Sequence, residues 1–313
     1  MLLSSAISAF TTAKTTKLQP ASKVWYGYQF SALERWLSEN GHGGTLPVEP
    51  ETIDAFLAHE KEVLKLKPSS VHGRWRALKV LYKWLVNRGK LPPDQNPMLH
   101  IDEPANPATE PRHAVLDEFL ALLDSIPMVT WMDSRDRLTV TTFFLAGLRI
   151  SELVNLRIQD FDVTKRVIRI RTQKGGDANV VPMLQAVCDA FIEYIYNRPE
   201  YPNEHVFLAS NGAGGITGVI TRNGMYQRIQ KLCARAGIPP INPHAFRHGL
   251  AMYLLNTAGA NTALIQRMLR HKDERTTRQI YARWDITGVS SQYDEKMIEV
   301  DNILKNRKPG TKS

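Results

Sequence analysis

Between Ile101 and Ala114 three prolines, Pro104, Pro107 and Pro111, interrupt a polar stretch of the chain. Proline supplies no backbone donor and blocks helical propagation, so neither a long helix nor a central strand can run through this segment. It is read as a linker over residues 104–114. The 313 residues are enough for two hydrophobic cores. The division is therefore residues 1–103, linker 104–114, residues 115–289 and a tail over 290–313.

Apolar periodicity near 3.6 before the linker predicts helices at about 20–39, 50–64 and 68–88, with Gly41 to Gly44 and Pro68 as punctuation. This unit is all-helical. In its third helix Val71, Trp75, Leu78, Tyr82 and Leu85 share one face, while His72, Arg76, Lys79, Lys83 and Lys90 gather nearly opposite. Seven Lys or Arg and no carboxylate lie from Lys67 to Lys90. A face without i,i+4 acidic partners keeps its positive field, and Arg76, Lys79 and Lys83 are read as phosphate contacts.

Beyond the linker the pattern predicts helices at about 115–126, 134–147 and 150–157. Alternating Arg166-Val167-Ile168-Arg169-Ile170-Arg171 then faces Val180-Val181 across Gly175-Gly176, which predicts a hairpin. Further helices are expected at about 184–197, 223–236, 243–258, 262–270 and 276–285, with Asn242 and Asn261 as N-caps and Pro243 in a first turn. The tail repeats Tyr293, Met297, Val300 and Leu304 at helical spacing. Two uses of that face are equally compatible with the pattern: covering its own core or docking on a neighbouring subunit. The fold class is mainly α with a small antiparallel β-sheet in the second unit.

Forty Lys and Arg against 31 Asp and Glu leave a formal charge of +9, which suits a polyanionic partner. Only Cys188 and Cys233 occur, too few for a disulfide framework or zinc ribbon, and they read as buried thiols of a reducing cytoplasm. Met1 to Phe10 has no basic flank, and no apolar run is long enough for a bilayer, so no membrane partner is expected. HExxH, a cysteine-histidine cluster and GxxxxGK[ST] are missing from the sequence.

Six side chains stand out in the second unit. Arg149 follows an apolar run, Thr142 to Leu148, and opens Ile-Ser-Glu, so a cation is set at the start of a buried helix with Glu152 one turn on. His244 and Arg247 lie i,i+3 in Pro-His-Ala-Phe-Arg-His, at a helix start that favours anions. Lys174 sits beside the hairpin glycines. His271 ends Leu-Arg-His, and Tyr281 closes Thr-Thr-Arg-Gln-Ile-Tyr. Two guanidiniums can each give paired hydrogen bonds to non-bridging phosphate oxygens, and a phenol can act as nucleophile once its anion is stabilised.

In this order and spacing the boxes resemble the tyrosine recombinase (phage integrase) family, of the simple two-domain type. The resemblance covers about residues 115–285, and implies an N-terminal helical core-binding domain joined to a catalytic domain. It implies a site-specific DNA recombinase that cleaves and rejoins double-stranded DNA through a covalent 3′-phosphotyrosine, as a homotetramer on paired sites, with no metal, ATP or other cofactor.

By that resemblance Arg149 and Arg247 bind the scissile phosphate, Lys174 protonates the leaving 5′-oxygen and Tyr281 attacks. His271 donates to a non-bridging oxygen, and His244 is preferred over His271 as acceptor of the phenol proton. Glu152 supports the site, while His248 packs and hydrogen-bonds inside the fold. The chain departs from the family at Arg270, where glycine is usual, and in the ten positions from His271 to Tyr281, about one more than the commonest spacing. A strand-relaxing enzyme of the type IB topoisomerase kind and a DNA-binding regulator without catalysis are the alternative readings.

Overall fold

In a computed structural model of the chain, residues 1–16, 18–107, 112–171, 179–260, 262–270 and 286–306 are described. They form two compact units, Met1–Thr109 and Glu110–Ser313.

The first unit is helical, with α1 (Leu3–Lys14), α2 (Pro20–Glu39), α3 (Pro50–Glu62) and α4 (Pro68–Asn87). Proline stands in the first turn of α2, α3 and α4, where its missing N–H costs nothing. The sequence reading missed α1. Its buried stripe is only Leu3, Ala6 and Phe10 amid Ser and Thr, but Phe10 sets its ring edge-on against Phe30 and Trp84, at 5.7 and 5.6 Å between centroids. Packing rather than propensity makes that helix.

The apolar face of α4 is buried as its periodicity requires. Opposite it, Arg76, Lys79 and Lys83 are exposed, and among the described residues they enter no ion pair. Arg76 lies 5.3 Å from the centroid of the Trp25 ring and Lys79 4.3 Å from that of Trp75, so both stems are held against aromatic faces. His72 differs from this group, because Glu103 Oε1 takes its Nε2 at 2.8 Å. Arg74, on the other side, is committed to the buried Glu60.

The second unit is built around α6 (Trp131–Ala146), which is buried along nearly its whole length. Thr130 caps its start and accepts from the Asp133 amide, while Asp133 Oδ2 accepts from Thr130 N at 2.9 Å. Around it stand α5 (Leu116–Asp124), α7 (Ile150–Val154), α8 (Gln185–Asn197), α9 (Arg222–Ala236), α10 (Pro243–Met252) and α11 (Thr262–Leu269). The strands β1 (Phe161–Asp162), β2 (Val167–Ile170) and β3 (Asn179–Pro182) form one antiparallel sheet in the order β1-β2-β3. Ile168 pairs with Val181 in the predicted hairpin, but the third strand, β1, was not anticipated. Nor was the two-stranded sheet of β4 (Leu208–Ser210) and β5 (Ile216–Val219), whose short strands carry too little alternation to be legible.

Asp136, fully buried, joins α6 to α9 through Arg228 (Nε 2.7 Å to Oδ2) and also accepts from its neighbour Arg135 (2.9 Å to Oδ1). A buried carboxylate with two guanidiniums is tolerated because its oxygens are all engaged.

The expected helix over 243–258 ends its α-helical part at Met252 and continues as a π-helical turn, Tyr253–Thr257. Gly249 in α10 lets the incoming chain cross it. A Cβ there would lie 2.0 Å from the Ala114 carbonyl oxygen, and Ala114 N donates to Ala245 O at 2.9 Å. The tail forms α12 (Ile286–Lys296) and α13 (Ile298–Lys305), with Tyr293, Met297, Val300 and Leu304 buried in the core of their own unit. In this chain the face covers its own core. Tyr293 donates its phenol to Leu145 O. Both cysteines are buried free thiols, and burial pushes Cys188 up to about 11. Among the described residues no helix is long and apolar enough to cross a membrane.

Candidate active site

Gly147 starts the site. It ends α6 in the left-handed conformation, φ +59°, and a Cβ there would meet Leu250 and Leu269 side chains at 3.0 Å. Only glycine meets both demands at once. The turn it makes aims its carbonyl at α10, where Arg247 Nη1 donates to it at 2.7 Å. Two residues later Arg149 becomes the N-cap of α7.

Glu152, at the third position of α7, closes that cap. Its Oε2 accepts from the Arg149 amide at 2.8 Å and its Oε1 from Arg149 Nη1 at 2.7 Å. The carboxylate also takes a second cation that sequence reasoning did not place in the site, since Arg270 Nη2 reaches Oε2 at 2.6 Å. Burial alone would raise the Glu152 carboxyl. The Arg270 charge and the hydrogen bonds from Arg149 outweigh it and hold the group below its ordinary value.

Arg247 is 4% exposed. Among the described residues its Nη2 is buried with no hydrogen-bond partner. Leaving a cationic donor unpaired away from water is costly, and native folds rarely do so without a purpose. Burial first, then the charges of Arg149 and Arg270, push the Arg247 guanidinium down to about 9. The site thus concentrates positive charge that its own groups only partly satisfy, which is the electrostatic condition for anion binding.

Asn242 caps α10, its side chain accepting from the His244 amide at 3.0 Å, with Pro243 in the first turn. At 100° per residue, Ala245, Phe246, Arg247, Gly249 and Leu250 point into the core and His244 faces solvent. His248, four residues from His244, falls on the same exposed side. The expectation that His248 packs inside the fold is therefore corrected: helical phase places it outside. Burial and the neighbouring charges of Arg247, His248 and Arg149 lower the His244 pKa, against the pull of Glu152. The imidazole is thereby kept neutral and able to accept a proton at neutral pH. In the DNA-free chain, an NMR titration of the His244 ring should give a midpoint below the ordinary 6.5. A midpoint at or above that value contradicts the charge balance described.

The structure thus brings Arg149, Glu152, His244, Arg247 and Arg270 together. Lys174, His271 and Tyr281 lie outside the described residues, as do the hairpin tip, Asn261 and the expected helix at 276–285. Arg270 was legible as a departure from the family box, but its contact with Glu152 depends on a backbone conformation that residue types do not reveal.

Comparison with known proteins bears on the family and the fold. The model of the Phage integrase family matches residues 113–286. The tyrosine recombinase XerD of Listeria innocua is 30% identical over 245 residues, covering 74% of this chain and 79% of that protein. The tyrosine recombinase XerC of Xanthomonas axonopodis pv. citri is 27% identical over 304 residues, covering 93% and 95%. Among solved structures, the Tn1549 transposon integrase in complex with transposon right end DNA superposes with a TM-score of 0.69 at 20% identity, covering 96% of this chain and 99% of that one. A lambda integrase tetramer bound to a Holliday junction gives 0.67 at 13% identity, covering 91% and 80%. These likenesses establish the shared fold, and the sequence match across residues 113–286 establishes more: the chain belongs to the phage integrase family of tyrosine recombinases.

Proposed function

We propose that this site-specific DNA recombinase holds the scissile phosphate between Arg149 and Arg247 while Tyr281 attacks it. The observation that carries the reading is the Nη2 of Arg247, buried and without a partner among the described residues, close to a second guanidinium and a histidine whose pKa is lowered. A phosphodiester oxygen supplies the acceptor that this donor lacks.

In the proposed reaction the phenolic oxygen of Tyr281 bonds to phosphorus and the bond to the 5′-oxygen breaks. His244 takes the phenol proton, Lys174 gives one to the leaving oxygen, and His271 donates to a non-bridging oxygen. A 5′-hydroxyl from a partner strand then attacks phosphorus and releases Tyr281. The number of phosphodiester bonds is conserved, so no ATP is consumed. Arg76, Lys79 and Lys83 contact backbone phosphates in the first unit, and the chain acts as a homotetramer on paired sites in the nucleoid.

Trapping on fragmented genomic DNA, followed by sequencing of the joined strands, yields the site. A nicked duplex carrying that site should then give a detergent-resistant product linked through a 3′-phosphate to Tyr281. A 5′ linkage, or an adduct on another residue, overturns the assignment.

A further inference from the structure

Arg270 occupies the family's glycine position, and its backbone shows why glycine is usual there. Its φ is +51°, the left-handed region that favours glycine over any residue with a side chain. Three contacts hold the arginine there. Nη2 donates to Glu152 Oε2 at 2.6 Å, Nη1 donates to Met268 O at 3.1 Å, and the Arg270 carbonyl accepts from Arg149 Nη2 at 3.1 Å. The side chain is 7% exposed, and its Nε is a second buried donor without a partner among the described residues.

The consequence is one of charge. Among the described residues Arg149 and Arg270 pair with the one carboxylate of the cluster, Glu152, and Arg247 feels its charge, so three positive charges less one negative leave two. Glycine at 270 would leave one, because Glu152 would set its whole charge against Arg149. We propose that Arg270 is a positioning residue for strand cleavage: it neutralises Glu152 and, through its carbonyl, fixes Arg149, so that the charges of Arg149 and Arg247 both remain available to the scissile phosphate. This rests on the assignment of that phosphate to Arg149 and Arg247. The neutralisation of Glu152 is a task that a glycine at 270 cannot perform, whereas the carbonyl contact to Arg149 would survive it.

The test uses the full chain and the nicked duplex recovered by trapping. Arg270→Gln should slow covalent product formation at saturating DNA by about tenfold to a hundredfold, the scale on which supporting groups act, with DNA Kd changed by less than about threefold, since one phosphate among many is affected. Arg270→Gly should be equally slow although it relieves the backbone and does not lower Tm. Arg270→Lys should recover most of the rate. In a Glu152→Gln background, where there is no carboxylate to neutralise, Arg270→Gln should cost less than about threefold. Wild-type rates in the Gln and Gly variants, or the same loss in both Glu152 backgrounds, would overturn the proposal. Arg149→Ala separates the two assignments. If it cleaves at the wild-type rate, the phosphate assignment itself has failed; if it is inactive while Arg270→Gln is not, only the role of Arg270 has.

Discussion

Arg247→Met should abolish strand cleavage and at the same time make the DNA-free protein harder to unfold. Methionine is unbranched and adaptable, and it occupies the buried position without bringing a charge into it. The guanidinium is almost wholly buried and is pushed well below its ordinary value, down to about 9, a penalty on the charged native state of about 5 kcal/mol at order of magnitude. The sign is unambiguous: a cation whose pKa falls on folding destabilises the fold at neutral pH.

Against this, the variant loses the bond from Nη1 to Gly147 O and leaves that carbonyl unpaired, at roughly 1–3 kcal/mol. A net gain of about 2–4 kcal/mol remains, seen as a Tm rise of several degrees. Cleavage of the nicked duplex should fall by at least about a thousandfold, because a donor aimed at developing charge is lost. A lowered Tm would mean that Arg247 is a structural residue, and retained cleavage would remove it from the phosphate site.

Tyr281→Phe should yield no covalent product while DNA affinity stays within about threefold. The substitution keeps the ring and deletes the only atom given a chemical role. Other tyrosines are poorly suited to replace it. Tyr82 accepts from Val48 N at 3.3 Å and Tyr194 donates to Val206 O at 2.8 Å, and burial pushes both phenols up to about 12. Tyr293 is buried against Leu145, and Tyr253 donates to Glu299 at 3.3 Å with its phenol also raised. A raised phenol gives up its proton less readily, which is the reverse of what a nucleophile needs. Equal trapping by the Phe variant and the wild type would transfer the role to another residue.

Much of this site could be read before any coordinates, because local sequence carried its geometry. Asn242-Pro243 announces a helix start, and the spacing from His244 to Arg247 fixes their neighbouring positions whatever surrounds them. Arg149 was conspicuous as a charge ending an apolar run, and Glu152 one turn later matched the cap it makes. His248 was misjudged because a residue type says less than helical phase about which way a side chain faces.

What escaped the sequence was set by tertiary contact. Helix α1 depends on Phe10 meeting the rings of Phe30 and Trp84, outside its own helix, and the short strands β4 and β5 depend on each other. Arg270 reaches Glu152 across 118 positions, through a backbone angle that its residue type disfavours. Such a contact leaves no periodicity to detect.

The most direct measurement of the central claim is a structure of the full chain trapped on its nicked site. It should show the Tyr281 oxygen joined to phosphorus, with a non-bridging oxygen within hydrogen-bonding distance of Arg247 Nη2 and another of Arg149. A phosphotyrosine whose oxygens leave Arg247 Nη2 without a partner would contradict the account.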